Sequence, residues 1–279
     1  MPALPDNISN TVSLALSEDV ASGDLTADLI PADNIADATV ICRDDAVIAG
    51  TAWFNEVFRQ VDENITIDWQ VNDGDKVEAN TLLCEIKGNA RGILTAERTA
   101  LNLLQTLSAT ATETARYASA ISHTDCTILD TRKTIPGLRD AQKYAVVCGG
   151  GKNHRKGLYD GVLIKENHIM AAGSITNAVH HAKQNHKTIP VEVEVENLDE
   201  LNEALASGAD IVLLDNMDNE TLKTAVQLNN KQAKLEASGG VSLQSISAIA
   251  ETGVDFISIG NLTKNINAID LSMRFKQGN

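Results

Sequence analysis

Aromatic side chains are scarce in this chain: two Trp, three Tyr and four Phe among 279 residues, or 3%. That scarcity argues against the stacked aromatic platforms that grip single-stranded bases and against an aromatic-rich protein interface. Cysteine is equally sparse. Cys42, Cys84, Cys126 and Cys148 stand far apart with no CxxC pair. Neither a disulfide frame nor a zinc site is indicated, and reduced, mostly buried thiols are expected. No apolar run approaches bilayer-spanning length, and the opening MPALPDNISN lacks a basic segment followed by an apolar one. A cytoplasmic protein is therefore expected. An excess of positive charge is also missing: 23 Lys and Arg against 38 Asp and Glu leave a net charge of −15. This balance speaks against nucleic acid or a membrane surface as partner and favours solubility.

Against that acidic background one stretch stands out, TRKTIPGLRDAQKYAVVCGGGKNHRKGLYDGVLIK at 131–165. It carries eight cations (Arg132, Lys133, Arg139, Lys143, Lys152, Arg155, Lys156, Lys165) and two acids, Asp140 and Asp160, a net +6. Concentrated positive charge of this kind points to a small, highly anionic substrate, because a nucleic-acid face would spread its basic residues over more surface.

From about residue 126 to 260, short apolar runs alternate with Ala-rich, helix-like stretches. The runs lie at 127–130, 161–164, 191–195, 211–214, 234–237 and 256–259. An amphipathic helix is predicted over 198–208, closed by Gly208 as its cap. Repeated strand, helix, strand implies a parallel sheet, and the count leans towards a barrel. The first hundred residues differ. Strand character at 38–50 and 65–86, the Asp73-Gly74 turn and a helix pattern at 52–61 indicate an α+β module. A helix from near Thr95, with Leu101, Leu104 and Leu107 on one face, links the two parts.

Polar residues follow each of the six runs at once: Asp130 to Lys133, Lys165 to His168, Glu194 with Glu196 and Asn197, Asp215 with Asn216, Ser238-Gly239-Gly240, and Gly260-Asn261. In a parallel barrel these positions meet at the C-terminal rim, where such folds build active sites. Hydration of strand ends accounts for isolated cases but not for four cations and three acids together. In VEVEVE at 191–196, alternation puts Glu192, Glu194 and Glu196 on one face and the valines on the other. If the valines pack on helices, the carboxylates point inward and need cationic company. Glu192, the deepest, suits a structural ion pair, and Glu194, nearer the rim, suits function. The late glycine sites, SGGV at 238–241 and SIGN at 258–261, match loops whose backbone N–H groups cradle phosphate.

Three other signals are set aside. GGGKN at 149–153 is no P-loop, since Ser or Thr does not follow the lysine. His180, His181 and His186 lie in a polar, solvated stretch. The segment 73–88, with Lys87, faintly suggests a biotinyl or lipoyl carrier, but the pattern around the lysine is incomplete.

The motifs TRKTIPGLR (131–139), GGGKNHRKGLYD (149–160), LIKENHI (163–169), EVEVEN (192–197), VLLDN (212–216) and EASGGV (236–241) together resemble the quinolinate phosphoribosyltransferase family. EDVASGDLT (18–26) and ERTALNLLQTLS (97–108) extend the resemblance, which runs colinearly from about 18 to 265. The resemblance implies an α/β protein: an N-terminal α+β sandwich at 1–108, joined by a C-terminal helix at 268–279, and an incomplete seven-stranded α/β barrel at 109–267. It implies Mg²⁺ as cofactor, quinolinate and phosphoribosyl pyrophosphate as substrates, and a homodimer or larger homo-oligomer in which Arg98 reaches the neighbour's site. By the same resemblance Arg132, His154, Arg155 and Lys165 face the quinolinate carboxylates, with Thr131 beside them. Lys133 and Lys165 face phosphoribosyl pyrophosphate. Glu194 and Asp215 serve the ribose hydroxyls and Mg²⁺. Ser238, Gly239, Gly240, Ser258, Gly260 and Asn261 take phosphate. The expected catalytic set is Lys133, Lys165, Glu194 and Asp215.

Overall fold

The computed structural model describes residues 2–276. Its helices are α1 Ile8–Asp19, α2 Thr51–Val61, α3 Ala90–Ala120, α4 Arg139–Cys148, α5 Glu166–Ala172, α6 Ile175–Asn185, α7 Leu198–Ala206, α8 Asn219–Asn229, α9 Ile246–Ala250 and α10 Asn261–Lys264. Its strands are β1 Ile35–Cys42, β2 Ala46–Val47, β3 Thr66–Trp69, β4 Lys76–Val77, β5 Thr81–Asn89, β6 Thr127–Leu129, β7 Val162–Ile164, β8 Val191–Val195, β9 Ile211–Asp215, β10 Lys234–Ser238, β11 Phe256–Ser258 and β12 Leu271–Phe275. The described residues fall into two compact units, one of 2–115, 134–150 and 262–276, the other of 116–133 and 151–261.

The first unit holds an antiparallel sheet in the order β12-β1-β5-β3. Alternation on β1 buries Ala38, Val40 and Cys42. The scarce aromatics concentrate here. Trp53, Phe54 and Phe58 on α2 are buried, and Phe54 packs 5.0 Å from Phe58 and 5.2 Å from Trp69, ring centre to ring centre. Burying each such side chain stabilises the unit by roughly 1.5–3 kcal/mol. Asp73 ties the unit together: one carboxylate oxygen accepts from the Gly50 and Thr51 N–H groups (3.0 and 3.1 Å) at the start of α2, the other from the Tyr144 hydroxyl (2.8 Å). Burial, reinforced by that carboxylate, pushes the Tyr144 hydroxyl well above its usual range. Leu101, Leu104 and Leu107 are buried on α3 as expected. The helix starts earlier than the leucine pattern indicates because Asn89 accepts from the Arg91 and Gly92 N–H groups (3.0 and 3.3 Å) and caps it. The helix implied over 268–279 is a strand where it is described: β12 pairs with β1, Met273 opposite Val40. Residues 277–279 lie outside the described residues.

The second unit is built on one parallel sheet in the order β6-β11-β10-β9-β8-β7. Its six strands coincide with the six apolar runs read from the sequence. Seven strands were implied by the resemblance, but among the described residues six pair in this sheet, and beside them Lys152 makes an isolated bridge to Leu129: the Lys152 N–H donates to the Ile128 carbonyl (2.9 Å) and its carbonyl accepts from Asp130 N–H (3.2 Å). The stretch GGGKN around it offers no β-branched run to extend the ladder. Among the described residues β6 and β7 are the ends of the order and do not pair with each other. Side-chain caps start the later helices, Ser174 on α6, Asn197 on α7 and Asp218 on α8. Gly208, at φ +77°, closes α7 as predicted.

Candidate active site

Because the strands are parallel, their C-terminal ends face one way, and side chains two apart share a face. On β8 the valines at 191, 193 and 195 are fully buried while Glu192 and Glu194 point to the opposite face. β10 presents Glu236 and Ser238 in the same manner, and β11 presents Ser258. These converge with the loops after β6 and Lys152 on a cavity of ≈ 330 Å³. It is lined by Thr131, Arg132, Lys133, His154, Arg155, Leu163, Lys165, Glu194, Leu213, Glu236, Ser238 and Ser258. Four of the eight block cations therefore share one cavity. Lys152 and Lys156 line a second one, of ≈ 490 Å³. Arg139 and Lys143 do not join either: they sit on α4 in the first unit, Lys143 fully buried.

The upper part of the cavity is an ionic cluster. Lys165 Nζ donates to Glu194 Oε2. Burial first, and then the charge of Glu194, raise the Asp215 carboxyl above its ordinary value, with Lys165 and Lys133 opposing. The Arg155 guanidinium is moved the other way, down, by burial and by the neighbouring charge of Arg132. Two guanidinium groups close enough to repel are a poised site for anions. Thr131 Oγ1 accepts from the Lys133 N–H (3.1 Å) and turns the backbone there. Gly260 leaves room for that lysine, since a Cβ would stand 2.9 Å from Lys133 Cδ. Gly239 is required twice over: it holds φ +97°, and a Cβ would meet Asn216 Oδ1 at 2.0 Å. Asp215, Gly239, Gly240, Gly260 and Asn261 stand at the strand ends without lining the cavity. Arg98 is exposed on α3 in the first unit.

The floor is a different arrangement. Asp130, fully buried, accepts the His154 N–H (2.9 Å) and fixes the loop. His154 Nδ1 accepts from the Arg155 N–H (2.8 Å), so the ring proton is on Nε2, which donates to Glu192 Oε2 at 2.8 Å. Both nitrogens are thus engaged within the protein, and His154 lines the cavity. Glu236 lies beneath it, 3.6 Å from Nε2 and only 1% exposed. Burial first, and then the charge of Glu192, push its carboxyl up to about 8. Sequence reading passed over Glu236. Its signal was the two-residue spacing to Ser238 within LEAS, the same alternation that marked Glu192 and Glu194.

The four cysteines are free, as expected, and burial pushes Cys84 and Cys126 up to about 12. His180, His181 and His186 are exposed. No helix among the described residues is long and apolar enough to cross a membrane.

A parallel α/β unit with guanidinium, ammonium and carboxylate groups gathered at the strand ends defines an enzyme-type site for polyanionic small molecules. Comparison with known proteins narrows the class. The sequence model of the quinolinate phosphoribosyl transferase N-terminal domain matches residues 24–108, and that of the C-terminal domain matches 110–274. A probable nicotinate-nucleotide pyrophosphorylase [carboxylating] of Bacillus subtilis is 42% identical over 258 residues, covering 92% of this chain and 89% of its own. A mitochondrial quinolinate phosphoribosyltransferase [decarboxylating] of Nicotiana tabacum is 41% identical over 295 residues, covering 98% and 84%. The solved nicotinate-nucleotide pyrophosphorylase of Francisella tularensis superposes with a TM-score of 0.96 at 52% identity, covering 98% of each chain. The chain belongs to the quinolinate phosphoribosyl transferase family.

Proposed function

We propose that this chain transfers the phosphoribosyl group of phosphoribosyl pyrophosphate to quinolinate, releasing pyrophosphate and CO₂ and leaving nicotinate mononucleotide, a step of de novo NAD biosynthesis. The observation that carries the proposal is the gathering of Arg132, Lys133, Arg155 and Lys165 in one cavity with Glu194. Two polyanions can be held side by side only where fixed cations offset their repulsion. Arg132 and Arg155 suit the planar carboxylates, because a guanidinium donates two parallel hydrogen bonds. Lys133 and Lys165 suit phosphate as compact charges. The loops at Ser238-Gly239-Gly240 and Ser258 to Asn261 offer backbone N–H groups to phosphate.

Departure of pyrophosphate leaves positive charge on the ribosyl carbon. Glu194 and Asp215 hold the ribose hydroxyls while that charge develops, and the lysines stabilise the leaving oxygens. Attack by the pyridine nitrogen makes it cationic. The positive nitrogen then stabilises the carbanion left on the adjacent ring carbon when its carboxylate departs as CO₂, and a proton adds to that electron pair to complete the ring. No covalent nucleophile is called for.

Glu194 and Asp215 also fit Mg²⁺: both are hard oxygen donors, and the Asp215 carboxyl is raised by burial first and then by the Glu194 charge, the second of which a divalent cation would offset. Bound there, partly through substrate, Mg²⁺ would neutralise the departing pyrophosphate. The working assembly is a cytoplasmic homodimer or larger homo-oligomer with Arg98 completing the neighbour's site. Incubating the protein with Mg²⁺, quinolinate and phosphoribosyl pyrophosphate should yield nicotinate mononucleotide; substrate binding without product would point to a non-catalytic binder. Mixed dimers of Arg98→Ala and Arg132→Ala should regain activity that neither variant has alone. Failure to regain any would remove the shared site.

A further inference from the structure

We propose that Glu236 is held as a neutral carboxylic acid on the floor of the anion cavity, its proton directed at Glu192, and that this proton is a specificity element that keeps the floor from repelling an incoming carboxylate. Its kinetic consequence rests on the transferase reading above, and its protonation state does not.

Glu192 and Glu236 are 4% and 1% exposed, and one ligand-type atom from each lies within 4.8 Å of the others and of His154. Glu192 Oε1 and both Glu236 oxygens have no hydrogen-bond donor. Buried acceptors left this way cost about 1–3 kcal/mol each, and more when charged. His154 brings one proton only, already given to Glu192 Oε2, because its Nδ1 is occupied as acceptor of the Arg155 N–H. Two facing groups that only accept become a hydrogen-bonded pair when one of them carries a proton. The distribution follows from the partners. Glu192 receives the imidazole N–H, whereas the more deeply buried Glu236 receives no N–H. Burial first and then the Glu192 charge act on Glu236 in the direction of the acid, and they outweigh His154 and the Ser258 hydroxyl, which act the other way.

The groups facing Glu236 are Glu192 from β8, His154 from the loop before β7 and Ser258 from β11. Lys133, Lys165, Arg132, Arg155 and Glu194 share the cavity with it. An ionised Glu236 would set a second negative charge under the guanidinium pair and compete with a substrate carboxylate for it. The neutral acid removes that competition, as a protonated carboxyl does in other sites that stabilise anions. A divalent cation is the rival occupant of the His154, Glu192 and Glu236 group. It would need the Nε2 lone pair, and with Nδ1 accepting from Arg155 the ring would then carry no proton at all.

Infrared spectra of the full chain, taken from about pH 6 to about pH 9.5, read the carboxylic-acid carbonyl band directly. In the wild type a band should titrate away near pH 8, and it should be missing from Glu236→Gln. In the same preparations KM for quinolinate should climb in the wild type above the Glu236 transition, approaching roughly tenfold per pH unit. Glu236→Gln should lack that climb whatever its KM at neutral pH. A wild type with no acid band at neutral pH overturns the proposal, and this arm needs no variant to fold. A band retained in Glu236→Gln, or one tightly bound divalent metal per wild-type chain that the variant loses, overturns it equally. A band that behaves as expected in a protein that makes no nicotinate mononucleotide upholds the protonation state and counts against the transferase reading.

Discussion

Replacing Glu194 by Gln separates what the ionic cluster does for stability from what it does for reaction. Lys165 and Glu194 form an ion pair in the cavity, yet the two side chains are 45% and 19% exposed. Solvent screens a pair this open, so its loss should change unfolding free energy by no more than about 1 kcal/mol. The neighbouring Asp215 should gain: the Glu194 charge is the second cause of its raised carboxyl, after burial, and the amide removes it. Catalysis should respond far more strongly. A charge placed to hold the ribose while positive charge develops acts only as the transition state is approached. Removing such a preorganised group costs roughly 10²–10³-fold in kcat, about 3–4 kcal/mol. Thermal unfolding and steady-state kinetics on one preparation decide the matter. The expected pattern is a nearly unchanged midpoint with kcat down by about two to three orders of magnitude. A loss of kcat under tenfold would refute the role given to Glu194, and so would a midpoint collapse large enough to explain the lost activity.

Gly239→Ala should lower activity and stability together, by about 1–3 kcal/mol in stability, since φ +97° and a Cβ at 2.0 Å from Asn216 Oδ1 leave no unstrained placement; calorimetry and kinetics test both. Tyr144→Phe leaves one Asp73 oxygen without its donor and should cost about 1–3 kcal/mol by denaturant titration, with the cavity of the second unit untouched. Stability should also fall as pH rises between about 4.5 and about 8: the unfolded Glu236 carboxyl releases its proton near 4.5, the folded one keeps it to about 8, and in that window folding takes up a proton. Unfolding midpoints of Glu236→Gln against pH should lack this component, and a wild-type slope identical to that of the variant would contradict it.

How much of this was legible in the sequence depends on the kind of residue. The parallel strands were legible because Val, Ile and Leu runs such as IVLLD and VEVEV have no other comfortable home. The rim residues followed from them, since a polar residue directly after a parallel strand has its position set by the strand. Glu192 as the deep carboxylate and Glu194 as the upper one came from alternation alone. Glu236 escaped because LEAS is short and mixed in character, and its importance arises from Glu192 and His154, distant in sequence. The cation count overreached at Arg139 and Lys143, because linear charge density cannot show that α4 belongs with the first unit. The C-terminal segment LSMRF took the form of a strand because β1 offered it an edge, a long-range pairing over more than 200 residues that local propensity does not encode.

The most direct test of the central claim, that the cationic cavity holds two polyanions together for reaction, uses quinolinate labelled in the 2-carboxyl group. With phosphoribosyl pyrophosphate and Mg²⁺, the account predicts labelled CO₂, pyrophosphate and nicotinate mononucleotide in equal amounts, all lost together in Lys165→Ala. Tight binding of labelled quinolinate with no CO₂ released, or release that persists in Lys165→Ala, would contradict it.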